Sequence, residues 1–198
     1  RFRFEQYFDV LEENQIEYRV SSFIDENTRG ILYKPGHYFQ KVKGILKGFL
    51  MRKIELLRIP FCDYVFIHRE ASPIGPPFVE FFVTKLFRKR IIYDFDDAIW
   101  LENTSDNNKM VASFKCHWKV AYICRWAYKV SCGNAYLAEY ARQFNANVVI
   151  NPTTIDTEHL HNRIIDYSSE KPVIGWTGTH STIGYLDAII PVLSELED

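Results

Sequence analysis

The sequence predicts an α/β fold built on a doubly wound parallel sheet, and two observations support this. Short apolar runs that end in turn-prone polar residues alternate with amphipathic segments, at the spacing of βαβ units. Several of these apolar runs are continuous, which is typical of strands that are covered on both faces of a parallel sheet. With 198 residues and a hydrophobic share of 47%, the chain can bury a substantial core.

The N-terminal part predicts a helix over residues 2–13 and a strand over residues 16–23. The helix has apolar residues at helical spacing, and the strand segment alternates apolar and polar residues. A helix that leads into a strand implies an earlier strand, so we expect the first strand of the sheet to precede Arg1. Residues 25–36 contain Gly, Pro, Asn and Asp, and this composition predicts a loop.

Residues 38–58 predict a long helix with an apolar stripe and many basic residues. Glu55 is its one acidic residue. We expect the stripe to pack against the core, with the basic residues on the solvated face. The alternative is that the segment Lys41–Arg58 makes peripheral contact with an anionic membrane.

The rest of the chain continues the alternation of strands and helices as far as residue 150, and a polar segment follows. Polar residues dominate from 151 to 171, which predicts an interdomain linker, and residues 172–198 predict the first βα unit of a second domain. The predicted strands are residues 64–67, 91–93, 129–132, 147–150 and 173–174, and the predicted helices are residues 77–87, 114–128, 135–144 and 183–196.

Acidic residues follow one of the buried strands. Asp96 and Asp97 fall just past it, where α/β sheets bind their ligands, whereas Asp94 lies within the strand and is expected to point into the body. Paired carboxylates are costly to place together, and a cation or a hydroxyl partner commonly explains them. Arg69 and Glu70 follow the preceding strand and are expected at the same edge. The alternative interpretation is structural: aspartates that cap or pair with Arg and Lys, and a local Arg69–Glu70 ion pair.

A glycine-bearing loop, Gly175-Trp-Thr-Gly-Thr-His-Ser-Thr182, follows the last predicted strand and precedes a helix. Backbone N–H groups and the positive end of a helix suit a phosphate. The loop is neither the Walker pattern nor the dinucleotide pattern, since both require further residues at fixed spacing. An ordinary βα turn is the alternative.

Three segments together resemble the retaining GT-B type glycosyltransferases of family four. They are DFDDAIW (94–100), VVINPTTIDTEHL (148–160) and VIGWTGTHST with the following YL (173–186), and HREASPIGPPFVE (68–80) is similar to the acceptor-side domain of that family. The resemblance implies two Rossmann-like domains: residues 1–150 on the acceptor side and residues 172–198 as the start of the donor domain. Many members of the family have a His where this chain has Asp96.

The resemblance also implies roles for particular residues, and no bound metal. It makes Asp96 and Asp97 the candidate catalytic pair. The expected donor-binding residues are Gly175, Trp176, Thr177, Gly178 and Thr179, and the expected acceptor-binding residues are Arg3, Arg69 and Glu70.

The function that this implies is transfer of a sugar from a nucleotide-sugar donor to a glycan or lipid-linked acceptor, in bacterial surface polysaccharide synthesis. No cofactor is expected. We expect this chain to be inactive by itself, because most of a donor domain would follow Asp198.

The expected location is the cytoplasm, and the alternative is peripheral attachment to the inner face of the membrane. Nucleic acid is not an expected partner, because the net charge is −1. The alternatives are a non-catalytic module for a nucleotide or sugar phosphate, and an Asp-dependent phosphotransferase that uses the DFDDA segment.

The four cysteines include no CxxC pair, which favours reduced thiols over disulfides or a zinc site. No apolar run approaches the length of a membrane span.

Overall fold

The structure is a computed structural model that describes residues 3–32, 34–101, 115–159, 161–164, 173–178 and 183–195. The chain divides into two compact units, Arg1–Leu160 and His161–Asp198, and each is described by itself. The linker predicted for residues 151–171 therefore spans the division, and its residues 160 and 165–171 lie outside the described part.

The first unit contains a four-stranded parallel sheet, which confirms the predicted α/β class. The strands are β1 (Tyr64–His68), β2 (Arg90–Phe95), β3 (Lys129–Cys132) and β4 (Val148–Ile150). Their order in the sheet is β1-β2-β3-β4. A Rossmann-like fold is consistent with this arrangement. The strand order does not reverse among the described strands, so the doubly wound feature of the prediction is not seen in this part of the chain.

Helices precede, connect and follow these strands. The first unit contains α1 (Phe8–Glu13), α2 (Glu26–Leu32), α3 (Tyr38–Leu56), α4 (Phe78–Phe81), α5 (Lys119–Trp126) and α6 (Ala135–Arg142). A π-helical segment, Phe82–Leu86, continues α4. Short 3₁₀ turns lie at Glu5–Tyr7 and Ile59–Phe61. The second unit contains a 3₁₀ segment, Ile183–Ala188, and α7 (Ile190–Glu195).

The core lies on one face of the sheet. Paired residues of parallel strands share a face, and alternate residues of one strand point to opposite faces. Ile91, Tyr93 and Phe95 of β2 are fully buried, together with Val130 and Cys132 of β3, with which Tyr93 and Phe95 are in register. The π-helical segment and helices α5 and α6 cover this face with the buried residues Val83, Val120, Ile123, Leu137, Ala138 and Ala141. Asp94, His68 and Ser131 consequently belong to the opposite face.

Two strand predictions are wrong. Residues 16–23 are not in a strand, although they alternate as predicted, and Ile16 and Val20 are half exposed. Val173–Ile174 is not a strand either, so the first βα unit of a second domain is not seen. A strand needs a neighbour to pair its backbone groups, and local alternation of residues does not supply one.

Helix α3 is found where it was predicted, but the expectation for its apolar stripe is wrong. Its buried residues are Gly44 and Gly48. A Cβ added to Gly44 would clash with the Thr28 side chain, and one added to Gly48 would lie 2.5 Å from the Phe23 carbonyl oxygen. The close approach of the helix backbone therefore decides which face is inside, and Val42, Leu46, Leu50 and Leu57 of the predicted stripe are exposed.

Candidate functional site

The candidate site lies at the carboxyl edge of the sheet, where β1, β2 and β3 end side by side. Arg69 follows β1 and has a left-handed backbone, with φ of 61°. Its N–H donates to the Asp94 carbonyl oxygen at 2.7 Å. This turn extends the ladder between β1 and β2 by one bond and then directs the Arg69 side chain along the edge of the sheet.

Asp94 is the buried centre of the site, with 1% of its side chain exposed. Its Oδ1 accepts a hydrogen bond from Ser131 Oγ at 2.7 Å and another from Arg3 Nη2. Its Oδ2 accepts from Arg3 Nε at 3.2 Å and from His68 Nδ1 at 2.8 Å. Burial acts to raise the pKa of Asp94, but the hydrogen bonds from His68, Arg3 and Ser131 outweigh it, so the pKa lies below its ordinary value.

Arg3 is one of the predicted acceptor-binding residues, and the structure places it inside. Only 4% of its side chain is exposed. Besides Asp94, its Nη1 donates to the Asn151 carbonyl oxygen and, at 3.5 Å, to Thr153 Oγ1. These contacts join the N-terminal segment to the end of β2 and to the residues that follow β4. They favour a supporting role for Arg3 behind the edge of the sheet.

His68 is held between two carboxylates. A carboxylate only accepts hydrogen bonds, so Nδ1 carries the proton that is shared with Asp94. Nε2 lies 3.9 Å from Asp96 Oδ1, and the Phe4 ring lies 5.6 Å from the imidazole, centroid to centroid. A histidine oriented by a buried carboxylate offers its second nitrogen in a fixed direction, which suits proton transfer or hydrogen bonding to a hydroxyl. His68 was not among the predicted site residues, although its position at the end of a strand was a usable signal.

Asp96 and Asp97 form the outer part of the site, and both pair with Arg69. Arg69 Nε donates to Asp96 Oδ1 at 3.0 Å, and Arg69 Nη2 lies 2.5 Å from Asp97 Oδ2. Asp97 has 60% of its side chain exposed. The guanidinium neutralises part of the repulsion between the two carboxylates while leaving Asp97 open to solvent.

Gly133 allows the ends of β2 and β3 to approach closely. A Cβ at this position would lie 3.1 Å from the Asp96 Cα and 3.4 Å from its Cβ. The Gly133 N–H donates to the Phe95 carbonyl oxygen at 3.0 Å, which ties the two strand ends together just below Asp96. A larger residue here would displace the carboxylate from the edge.

Glu70 belongs to a different cluster, on the core side of the β1–α4 loop. Its Oε2 lies 3.2 Å from Lys119 Nζ, and that buried ammonium also donates to the Ser72 carbonyl oxygen at 2.8 Å. Burial raises the pKa of Glu70, and Lys119 opposes the rise. The structure therefore separates Arg69 and Glu70, which the sequence had placed together. Near Lys119, Glu80 Oε1 accepts from the Ala71 N–H at 3.1 Å, which anchors the same loop.

A shallow cavity of about 260 Å³ lies beside α6. Its floor is aromatic, since the Trp100 and Tyr140 rings stack with centroids 3.7 Å apart. Tyr136, Glu139 and Gln143 complete the lining. Trp100 follows Asp97 by three residues, so the cavity belongs to the same connection between β2 and α5.

The predicted donor-binding residues belong to the second unit. Gly175, Trp176, Thr177 and Gly178 are exposed and lie in neither a helix nor a strand. Thr179 lies outside the described residues. The donor role of these residues stays a prediction.

No group of three or more His, Cys, Asp or Glu residues in the described part of the chain is arranged to hold a metal ion. No helix in the described ranges is long and apolar enough to cross a bilayer.

Comparisons of the chain with models of protein families, with curated proteins and with solved structures give no match.

Proposed function

We propose that the chain is the acceptor side of a glycosyltransferase that uses a nucleotide sugar. The observation that carries the proposal is the row of Asp97, Asp96, Arg69 and His68 along the carboxyl edge of a parallel sheet. This edge is where α/β folds bind ligands. The row places hydrogen-bond acceptors and hydrogen-bond donors close together, and a ligand with several hydroxyl groups requires both. The ordered motifs that resemble family-four enzymes give the same assignment.

The chemistry of sugar transfer suits these groups. The reaction requires an acceptor hydroxyl held in a fixed orientation and stabilisation of the charge on the departing diphosphate. In our proposal Asp96 and Asp97 accept hydrogen bonds from sugar hydroxyls, and Arg69 holds both carboxylates in place through its two ion pairs. His68 adds a second, directional contact through Nε2. Backbone N–H groups of residues 175–178 serve the diphosphate in the proposed donor domain.

Asp94 argues against the phosphotransferase alternative. Such an enzyme uses the first aspartate of the motif as a nucleophile, which needs a free carboxylate oxygen. Both oxygens of Asp94 instead accept hydrogen bonds, from Ser131 and Arg3 on one side and from His68 and Arg3 on the other. A titration with Mg²⁺ checks this, because the phosphotransferase requires the ion and the proposed transferase does not.

The substitution Asp97→Asn tests the proposal. In the protein translated from the complete reading frame, we expect it to lower sugar transfer about 10²-fold, a typical loss for a positioning or charge-stabilising group. A thermal-shift screen of nucleotide sugars identifies the donor first, and release of the nucleotide then measures turnover.

Asp63→Asn is the matched control, because Asp63 is an exposed aspartate just before β1, at the opposite edge of the sheet. We expect it to leave turnover unchanged. Equal turnover of wild type and Asp97→Asn would show that Asp97 does not take part in the reaction. Binding of a nucleotide sugar with no turnover would favour the non-catalytic module.

A further inference from the structure

Helix α3 packs most closely against the rest of the first unit through the face that contains its two buried glycines. Gly44 and Gly48 bring its backbone against Thr28 and Phe23. On the same side, Arg52 Nε donates to the Ala71 carbonyl oxygen at 2.6 Å, and Arg52 Nη1 donates to Ser21 Oγ at 2.8 Å. These contacts determine the rotation of the helix about its axis, and so they determine which residues face away from the sheet.

The outward face of α3 carries exposed apolar side chains from one end of the helix to the other, with lysines between them. Phe39 is 82% exposed and Leu46 is 63% exposed. The helix has 19 residues, so this apolar row is about 28 Å long. Continuous exposed apolar surface of this extent is unusual for a protein face that contacts only water, and it marks an interaction site. The residues of the row are Tyr38, Phe39, Val42, Leu46, Leu50 and Leu57, and Phe61 follows in the adjoining 3₁₀ turn.

The charges near the row are positive. Lys53 is one helical turn from Leu57, and Lys43 is one turn from both Phe39 and Leu46. Both lysines are exposed, and neither has an ion-pair partner among the described residues. The one acidic residue of the helix, Glu55, is already paired with Arg58 at 3.0 Å and with Arg19 at 3.2 Å. The outward face therefore combines apolar surface with uncompensated positive charge.

We propose that α3 docks the first unit on the surface of a membrane that contains anionic lipids, with the helix axis in the plane of the surface. Apolar side chains enter the boundary between headgroups and acyl chains, and lysine side chains reach the phosphate groups. The charge decides between a lipid surface and an apolar protein partner, since the centres of protein interfaces are depleted in lysine. This inference goes beyond the proposed function and does not rest on it.

Flotation of the full chain with lipid vesicles tests the proposal. We expect binding to vesicles of phosphatidylcholine mixed with phosphatidylglycerol, weaker binding to phosphatidylcholine alone, and release as salt is added. The double substitution Leu46→Ser and Leu50→Ser should reduce binding about tenfold or more, because two exposed leucines no longer enter the bilayer. Leu86→Ser is the matched control, because Leu86 is 60% exposed on the π-helical segment away from α3.

A second pair of variants tests the charge. Lys43→Gln with Lys53→Gln should reduce binding to the anionic vesicles about fivefold for each lysine and should leave binding to phosphatidylcholine unchanged. Lys85→Gln, on the π-helical segment, is the control. Circular dichroism of each variant confirms that the fold is retained.

Three results would overturn the proposal. The first is no binding of the wild type to anionic vesicles. The second is equal loss of binding in Leu86→Ser and in the double leucine variant. The third is a concentration-dependent dimer that the leucine substitutions abolish while vesicle binding is unaffected, because the row would then join two copies of the chain.

Discussion

At the scale of single residues, Asp94 organises the candidate site without being exposed in it. Its carboxylate connects β1 through His68, β3 through Ser131 and the N-terminal segment through Arg3. A buried charge is tolerated only when it is paired and hydrogen-bonded. The partly buried Asp96 and the exposed Asp97 therefore follow a strand end that the contacts of Asp94 hold in place.

The substitution Asp94→Asn should strongly destabilise the first unit. It leaves the Arg3 guanidinium buried without its counterion, and breaking a buried pair costs about 3–5 kcal/mol. Urea unfolding at neutral pH measures the loss. Asp97→Asn is the control, since its ion pair with Arg69 is exposed and such pairs contribute about 1 kcal/mol at most. A loss of similar size in both variants would show that Asp94 is not the centre of the network.

The pH dependence of the same variant is a second measurement. The pKa of Asp94 is lower in the folded chain than its ordinary value near 3.9. Its contribution to the free energy of unfolding is therefore complete above about pH 4 and is lost as the pH falls through the folded-state pKa. We expect wild type to lose stability in this acid range by more than Asp94→Asn does. Parallel curves for the two proteins would contradict this.

The sequence allowed part of the site to be predicted. The positions of Asp96, Asp97 and Arg69 at one edge followed from the strands that precede them. The partners of Asp94 did not, because Arg3 and Ser131 are 91 and 37 residues away along the chain. The separation of Glu70 from Arg69 depends on a turn with positive φ at Arg69, a residue type that rarely adopts this conformation.

At the scale of elements, the strands β1 to β4 were predicted to within two residues at each end. Each is a short segment that follows a helix and contains buried or half-buried apolar residues, so the local pattern and the tertiary environment agree. The predictions at residues 16–23 and 173–174 were wrong because strand formation depends on a paired neighbour. The outward face of α3 was also mispredicted, because apolar periodicity identifies a stripe and does not reveal that glycines on the other side fit more closely.

Gly48→Ala tests the close packing of α3. An added Cβ would lie 2.5 Å from the Phe23 carbonyl oxygen, so the helix must move away. We expect a loss of about 1–3 kcal/mol in the free energy of unfolding, although alanine favours helices. Gly30→Ala in α2 is the control, because a Cβ there meets nothing within 4 Å, and it should stabilise by up to about 1 kcal/mol. Stabilisation by both substitutions would mean that α3 does not contact Phe23 in this way.

At the scale of the whole molecule, the core belongs entirely to the first unit. Its buried apolar residues run from Ile67 to Ala141, and none lies in the second unit among the described residues. The network around Arg3 closes within the same unit, at Asn151 and Thr153. The hydrogen bonds and ion pairs that position the residues of the candidate site thus lie within the first unit.

A chain of residues 1–160 should therefore fold by itself. We expect its free energy of unfolding in urea to lie within about 0.5 kcal/mol of that of the full chain, since no described core contact is removed. A chain of residues 1–144 is the control, because it lacks β4 and the Asn151 carbonyl, and it should lose the cooperative transition. Failure of the 1–160 chain to fold would show that the second unit supplies part of the core.

The contact of Arg3 with Asn151 has a consequence for the order of folding events. The two residues are 148 positions apart, and closing so long a loop costs conformational entropy before any contact can compensate for it. We therefore expect the parallel strands between them to assemble before the Arg3 guanidinium reaches the Asn151 carbonyl oxygen. We expect the N-terminal segment to be among the last parts of the first unit to become ordered, and the edge that holds Asp96 and Asp97 to mature only at that stage.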